Sequence, residues 1–199
     1  MIKQVFLYFI LILLCGHLHA QQVMTDYNIV WSTQSNNSSE SMPCGGGDIG
    51  LNVWVEKGDL LIYAAKSGSF DENNALMKAG RIRVKLSSDP FNGKTFKQEL
   101  HLQNGYVTVE GENNGIKVSV KIWVDVFKPI VHIDVNSSKN IHAEATYESW
   151  RYQDRTVKPR ENFGKSWKWA PPVPTVYKSD KIYLIDNAVW FYHENGEET

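Results

Sequence analysis

The side chains best suited to bind a ligand lie in one aromatic and basic segment of the chain. Trp150 and Arg151 are adjacent at its start, and Trp167 and Trp169 follow. A tryptophan ring offers an apolar face and one N–H donor at its edge, which suits the face of a sugar ring. A planar guanidinium can orient hydroxyl or carboxylate groups. These four residues are therefore candidate ligand-binding residues, and the ligand they favour is a glycan.

The same tryptophans have an alternative, structural interpretation. They could pin a long loop or contact another domain, because exposed aromatic patches mark binding sites and interfaces alike. Trp150 adjoins the predicted strand 141–147, which favours packing at that position. Trp167 and Trp169 stand apart from any predicted strand and favour sugar contact. Both interpretations stay open at the level of the sequence.

A glycine-rich run near the start of the chain supplies the fifth candidate, Asp48. The spacing of Gly45, Gly47 and Gly50 matches the dinucleotide-binding pattern. That pattern needs a strand before it and a helix after it, because the helix N-terminus holds the pyrophosphate. Here the residues before the run are polar, and 51–55 alternate as a strand does. Nucleotide binding is therefore not predicted, and consecutive glycines indicate tight backbone geometry.

The acidic residues do not indicate catalysis. The two carboxylates of a glycosidase lie roughly 5–10 Å apart. Asp48 and Glu56 share one extended run, where eight residues span about 26 Å. No nucleophile signature surrounds Cys44, which is interpreted as a small turn residue. No catalytic residue is predicted.

No metal or cofactor is predicted either. The histidines lack the close spacing of zinc ligands. The acidic stretch 71–74 lacks the twelve-residue calcium pattern and predicts a capped turn instead.

The first twenty residues have the pattern of a secretory signal peptide. Lys3 is followed by an apolar run over 5–14, and Ala20 gives a small residue for cleavage. The run is shorter than the about 20 residues that span a bilayer. Cys15 suggests a lipoprotein, but the bulky Leu14 before it disfavours that cut. The sequence predicts a secreted or periplasmic protein with no transmembrane segment.

Composition excludes some partners. The chain carries 21 Lys and Arg against 22 Asp and Glu, so no basic patch indicates nucleic acid. Residues 21–199 are enough for one domain with a real core. Cys44 is the single cysteine after the signal, so stability must come from apolar packing rather than a disulfide.

Short alternating segments separated by turns run through the mature chain. The clearest is 116–124, in which every second residue is apolar, as in a strand with one buried face. Asn-Gly pairs between such segments predict hairpins. Many short strands favour an all-β fold, an antiparallel β-sandwich.

Four features qualify this prediction. Residues 73–80 could hold a turn or two of helix, and 151–178 are expected to form a long loop. The last strand, 189–192, is expected to lack a partner, which suggests an incomplete domain. Core packing is the expected role of the tryptophans in strands, namely Trp31, Trp54, Trp123 and Trp190.

Motifs along the chain resemble those of the DUF5703 family. Residues 41–56 fit its signature MP-x-G-x-GDIG-x-NVWVE. Further motifs match in order at 58–63, 67–73, 80–84, 123–125, 147–152 and 169–172. The resemblance implies similarity to the N-terminal β-sandwich of GH95-like, six-hairpin glycosidases, a supersandwich of the galactose-mutarotase type. In those proteins an (α/α)6 barrel that carries the chemistry follows the sandwich. This sequence contains no such barrel and is expected to be truncated.

Three functions follow as hypotheses. The first is a secreted, non-catalytic β-sandwich domain, residues 21–199, of a glycoside hydrolase acting on glycans. The second is a free-standing carbohydrate-binding module. The third is an autonomous enzyme that uses its acids or Cys44.

Overall fold

The structure is a computed structural model that describes residues 27–158, 161 and 175–195. Every strand pairing in these residues is antiparallel. The described residues contain no α-helix, and the helical segments that lie wholly within them are two short 3-10 turns, Ser38–Glu40 and Pro90–Asn92. The predicted all-β class is confirmed.

Two five-stranded sheets form the body of the domain. The first contains β1 (Ile29–Trp31), β6 (Thr95–His101), β7 (Tyr106–Asn113), β8 (Ile116–Val124) and β9 (Val131–Ser137). Its order is β1-β6-β7-β8-β9. The second contains β2 (Met42–Gly46), β3 (Ile49–Glu56), β4 (Asp59–Phe70), β5 (Leu76–Leu86) and β10 (Ala143–Glu148). Its order is β10-β5-β4-β3-β2.

Two small ribbons follow the sandwich in the chain. One pairs β11 (Arg155–Thr156) with β12 (Val176–Tyr177). The other pairs β13 (Lys181–Ile185) with β14 (Ala188–Tyr192). The first ribbon joins the two described ends of the predicted long loop 151–178.

The core lies between the two sheets. Val53 and Ile62 of the second sheet and Val109 and Val120 of the first are fully buried in one cluster. The period-two alternation of these strands sends one set of side chains inward and the other outward. The buried Gln98 is satisfied because its amide donates to the Val53 carbonyl across the sandwich at 3.0 Å. The predicted β-sandwich is therefore confirmed.

The glycine-rich run forms the β2–β3 hairpin. Gly47, at the turn, has φ of +58°, a conformation that glycine adopts without steric cost. A strand rather than a helix follows, as predicted.

The predicted helical turn in residues 73–80 is wrong. The Asp71 carboxylate accepts the backbone N–H groups of Asn73 and Ala75, which makes a capped turn. The chain then enters β5 at Leu76, paired with Phe70. The capped turn predicted for the acidic stretch is confirmed. It forms in place of a helix because the Asp71 carboxylate accepts hydrogen bonds from backbone N–H groups of the turn.

The expectation of an unpaired last strand is also wrong. β14 pairs with β13 along its whole length, from Lys181 opposite Tyr192 to Ile185 opposite Ala188. The two strands are close in sequence, so the turn between them closes a hairpin at little entropic cost.

The tryptophans in strands are not all core residues. Trp54 is 1% exposed, and Trp31 packs against the core cluster. Trp123 lies half-buried, where its ring stacks on His132 with centroids 4.0 Å apart. Trp190 is 61% exposed on β14. The core prediction is wrong for Trp123 and Trp190. β8 buries the face opposite to Trp123, and neither face of β14 is buried.

Candidate functional site

A cavity of about 320 Å³ lies beside the turn that joins β4 and β5. The segment that follows β10 forms its opposite wall. Its polar and aromatic lining consists of Asp71, Lys78, Trp150, Arg151, Gln153, Arg155, Glu161 and Tyr177. The structure thus brings two of the five predicted ligand-binding residues, Trp150 and Arg151, to one cavity.

Trp150 is anchored on the sheet but still reaches solvent. Its ring meets Tyr63 edge-on, with centroids 5.4 Å apart, and Tyr63 meets the buried Trp54 in the same way at 4.7 Å. Lys78 Nζ lies 4.9 Å from the Tyr63 ring centroid, at cation–π distance. With 40% of its surface exposed, Trp150 both packs and presents ring surface to a ligand.

Arg151 is held by a buried carboxylate. Its Nη2 donates to Asp180 Oδ2 at 2.9 Å, and the Arg151 side chain is 17% exposed against 2% for Asp180. Arg151 Nε is buried and has no hydrogen-bond partner among the described residues. One guanidinium edge is therefore fixed, while a donor beside it is unused.

His193 links Asp180 to the β4–β5 turn. Its Nδ1 lies 3.1 Å from Asp180 Oδ1 and its Nε2 lies 3.0 Å from Glu72 Oε2. The His193 side chain is 3% exposed. A hydrogen bond at each contact requires a proton between nitrogen and oxygen, so either the ring carries two protons or a carboxyl group carries one. The four groups Arg151, Asp180, His193 and Glu72 form a continuous polar cluster, called here the Asp180 cluster.

A second ion pair shapes the other side of the cavity. Arg155 donates to both carboxylate oxygens of Glu161 at 2.8 Å, and its guanidinium lies 4.9 Å from the Tyr177 ring centroid. The hydrogen bonds from Arg155, and the backbone N–H of Lys158, lower the pKa of Glu161 to about 2. Glu161 is therefore an ionised anchor at neutral pH.

Asp48 lies in a neighbouring cavity of about 500 Å³, lined by the β2–β3 turn and the end of β4. Its carboxylate is 3.5 Å from Lys66 Nζ, and both side chains are about half exposed. Leu76 lines this cavity and the Trp150 cavity alike. The structure thus places Asp48 near the site but not in the same cavity. Trp167 and Trp169 lie outside the described residues.

The chemistry of these groups favours binding. The Asp71 carboxylate caps the β4–β5 turn, and Glu161 is paired with Arg155. Both acids that line the cavity therefore have structural roles. Burial raises the pKa of the Cys44 thiol, which is the opposite of the shift that activates a cysteine nucleophile. Within residues 27–158, 161 and 175–195, no group of three or more His, Cys, Asp or Glu side chains is arranged to hold a metal ion.

Sequence reasoning missed the Asp180 cluster and the Arg155–Glu161 pair. Glu72 and His193 are 121 residues apart in the chain, and no local pattern connects them.

In the part of the chain that the structure describes, no helix is long and apolar enough to cross a membrane.

Comparison with known protein families identifies the family to which the chain is similar. No curated protein matches the chain. Residues 30–199 match the N-terminal region of a family described as a domain of unknown function, DUF5703. This match covers most of the sequence and includes the glycine-rich hairpin, both sheets and the Trp150 cavity. The chain therefore belongs to the DUF5703 family.

Proposed function

We propose that this chain is a secreted, non-catalytic, glycan-binding β-sandwich domain of a glycoside hydrolase that acts on glycans. The binding part rests on the Trp150 cavity. Secretion rests on the signal-peptide pattern of residues 1–20, and the link to glycan degradation rests on the resemblance of the sequence motifs to glycosidase sandwiches. A free-standing carbohydrate-binding module would use the same cavity, without a catalytic domain joined to it.

The observation that supports binding is the pairing of Trp150 with Arg151 at one cavity wall. Sugar sites combine aromatic surface, which contacts the apolar face of the ring, with a few fixed polar groups that orient the hydroxyls. Trp150 is exposed enough to be contacted and is braced by Tyr63. Arg151 is pre-oriented by Asp180 and lines the cavity. Preorganisation of this kind lowers the entropic cost of binding.

The lining also indicates which groups a sugar would offer. Lys78 Nζ lies over the face of the Tyr63 ring, and the Arg151 side chain lines the cavity and is 17% exposed. Both favour acceptors on the ligand, which means hydroxyl or carboxylate oxygens. Neutral and uronic sugars are therefore both included in the test.

The test is calorimetric titration of the protein with cello-, xylo- and galacturonate oligosaccharides. At least one series should bind, and Trp150→Ala should weaken that binding by about fivefold, as loss of an aromatic contact of about 1 kcal/mol implies. The control is Trp190→Ala, which removes an exposed tryptophan that does not line the cavity.

Melting curves on both variants separate binding from stability. If no series binds, or if folded Trp150→Ala binds as the wild type does, the proposal fails. A large loss of stability with unchanged affinity would return Trp150 to a purely structural role.

A further inference from the structure

We infer that the ligand is an extended oligosaccharide that crosses the β4–β5 turn and occupies both the Trp150 cavity and the Asp48 cavity. The inference rests on the proposed function and adds the size of the ligand and a second set of contacts.

The first observation is continuity between the two cavities. Leu76 lines both of them. It is paired across the hairpin with Phe70, which lines the Asp48 cavity. The two side chains are 55% and 46% exposed, so they form an apolar ridge between the cavities. A ridge of this kind suits the apolar face of a sugar ring.

The second observation is the open floor of the Asp48 cavity. Gly50 and Gly68 both line it. A Cβ atom added at either glycine would meet no heavy atom within 4 Å. The space above them is therefore free of protein, and side chains at these positions would fill it.

The third observation is polarity at the far end. The Asp48 carboxylate and the Lys66 ammonium are half exposed and 3.5 Å apart. Together they offer an acceptor and donors that can be shared with hydroxyl groups. A pair of hydroxyls on one sugar ring presents both functions at once, so a neutral ring satisfies this end without breaking the pair.

Geometry sets the minimum length of the ligand. The Asp48 cavity is lined from Gly50 of β3 across β4 to Leu76, where β5 begins, and the Trp150 cavity continues from Leu76. Neighbouring strands are about 4.8 Å apart, so a ligand that reaches from β3 to β5 spans about 10 Å. That distance is greater than the width of one sugar ring. A monosaccharide therefore fills one cavity, and a longer chain fills both.

The test measures affinity against chain length, from the monosaccharide to the hexasaccharide of the series that binds. Three proteins are compared: wild type, Gly50→Leu, which fills the Asp48 cavity, and Gly50→Ala, which replaces the glycine without filling it. Gly50 does not have a positive φ, so neither change forces strained backbone. Melting temperatures confirm that all three are folded.

In the wild type and in Gly50→Ala, affinity should rise by roughly tenfold once the chain is long enough to enter the second cavity. In Gly50→Leu that rise should be absent, while affinity for the shortest ligand stays unchanged. The inference is overturned, with the proposed function intact, if wild-type affinity does not depend on length or if the rise persists in Gly50→Leu. Failure of every length to bind overturns both.

Discussion

Arg151 and Asp180 hold each other through two separate hydrogen bonds. Arg151 Nη2 donates to Asp180 Oδ2 at 2.9 Å, and the Asp180 backbone N–H donates to the Arg151 carbonyl at 2.7 Å. The side-chain contact orients the guanidinium, and the backbone contact fixes where the chain returns after the β11–β12 ribbon. One wall of the cavity therefore depends on a residue that does not line it.

Asp180→Ala is expected to destabilise the domain by about 3–5 kcal/mol, because it leaves the largely buried Arg151 and the buried His193 side chain without their shared carboxylate. Chemical denaturation measures the change. Affinity for the glycan should also fall, since Arg151 loses its orientation.

The control is Glu194→Ala, which removes a carboxylate paired with Lys181 at the surface. Exposed pairs contribute little to stability, so its loss should be much smaller. Equal losses for the two variants would contradict the role assigned to Asp180.

The Arg155–Glu161 ion pair is expected to lose its stabilising effect in acid. The folded pKa of Glu161 is about 2, below the about 4.3 expected for the unfolded chain. The stabilisation is therefore complete above about pH 4.3 and disappears as the pH falls toward 2. The melting temperature of the wild type should exceed that of Glu161→Gln at pH 6, and the difference should vanish near pH 2. The Glu161 side chain is 35% exposed, so the difference should be modest and shrink at high salt. A difference that does not depend on pH would contradict the ionic origin.

Gly80→Ala is expected to destabilise the β5–β10 edge. Gly80 has φ of +130°, and a Cβ there would lie 2.5 Å from the Tyr147 ring. The backbone alone should cost about 1–3 kcal/mol, and displacing Tyr147 would break its hydrogen bond to the Ala79 carbonyl. Denaturation of Gly80→Ala beside Gly50→Ala, which meets no neighbour, provides the measurement. Similar stability of the two variants would rule out the close contact.

The protein is expected not to hydrolyse glycosides. The two acids that line the Trp150 cavity cap a turn and pair with an arginine, so neither is placed as a proton donor. Incubation with aryl and natural glycosides should release no sugar. Reproducible turnover that Glu161→Gln or Asp71→Asn abolishes would contradict a binding role.

The sandwich could be predicted because its signals are local. Alternation in β8 and the Asn-Gly turns at 104–105 and 114–115 depend on neighbours in the chain, and the structure follows them. The Asn-Gly pair at 92–93 does not form a hairpin, because it lies between β5 and β6, which belong to different sheets. Trp150 and Arg151 could be predicted as candidate ligand-binding residues from their residue types, and the structure places both at one cavity. Asp180 and His193 could not, since their partners are brought together only by the folded sandwich. The exposure of Trp190 could not be predicted, because an apolar strand sequence does not reveal whether another part of the protein covers that strand.

The most direct test of the central claim is an NMR titration of the tryptophan indole N–H signals. The chain has seven tryptophans, and single substitutions assign each signal. Addition of the oligosaccharide that binds best should shift the Trp150 signal in proportion to saturation, while those of Trp31 and Trp190 stay in place. A shift confined to tryptophans away from the cavity, such as Trp123, with the Trp150 signal unmoved at saturation, would contradict the claim that this cavity binds the glycan.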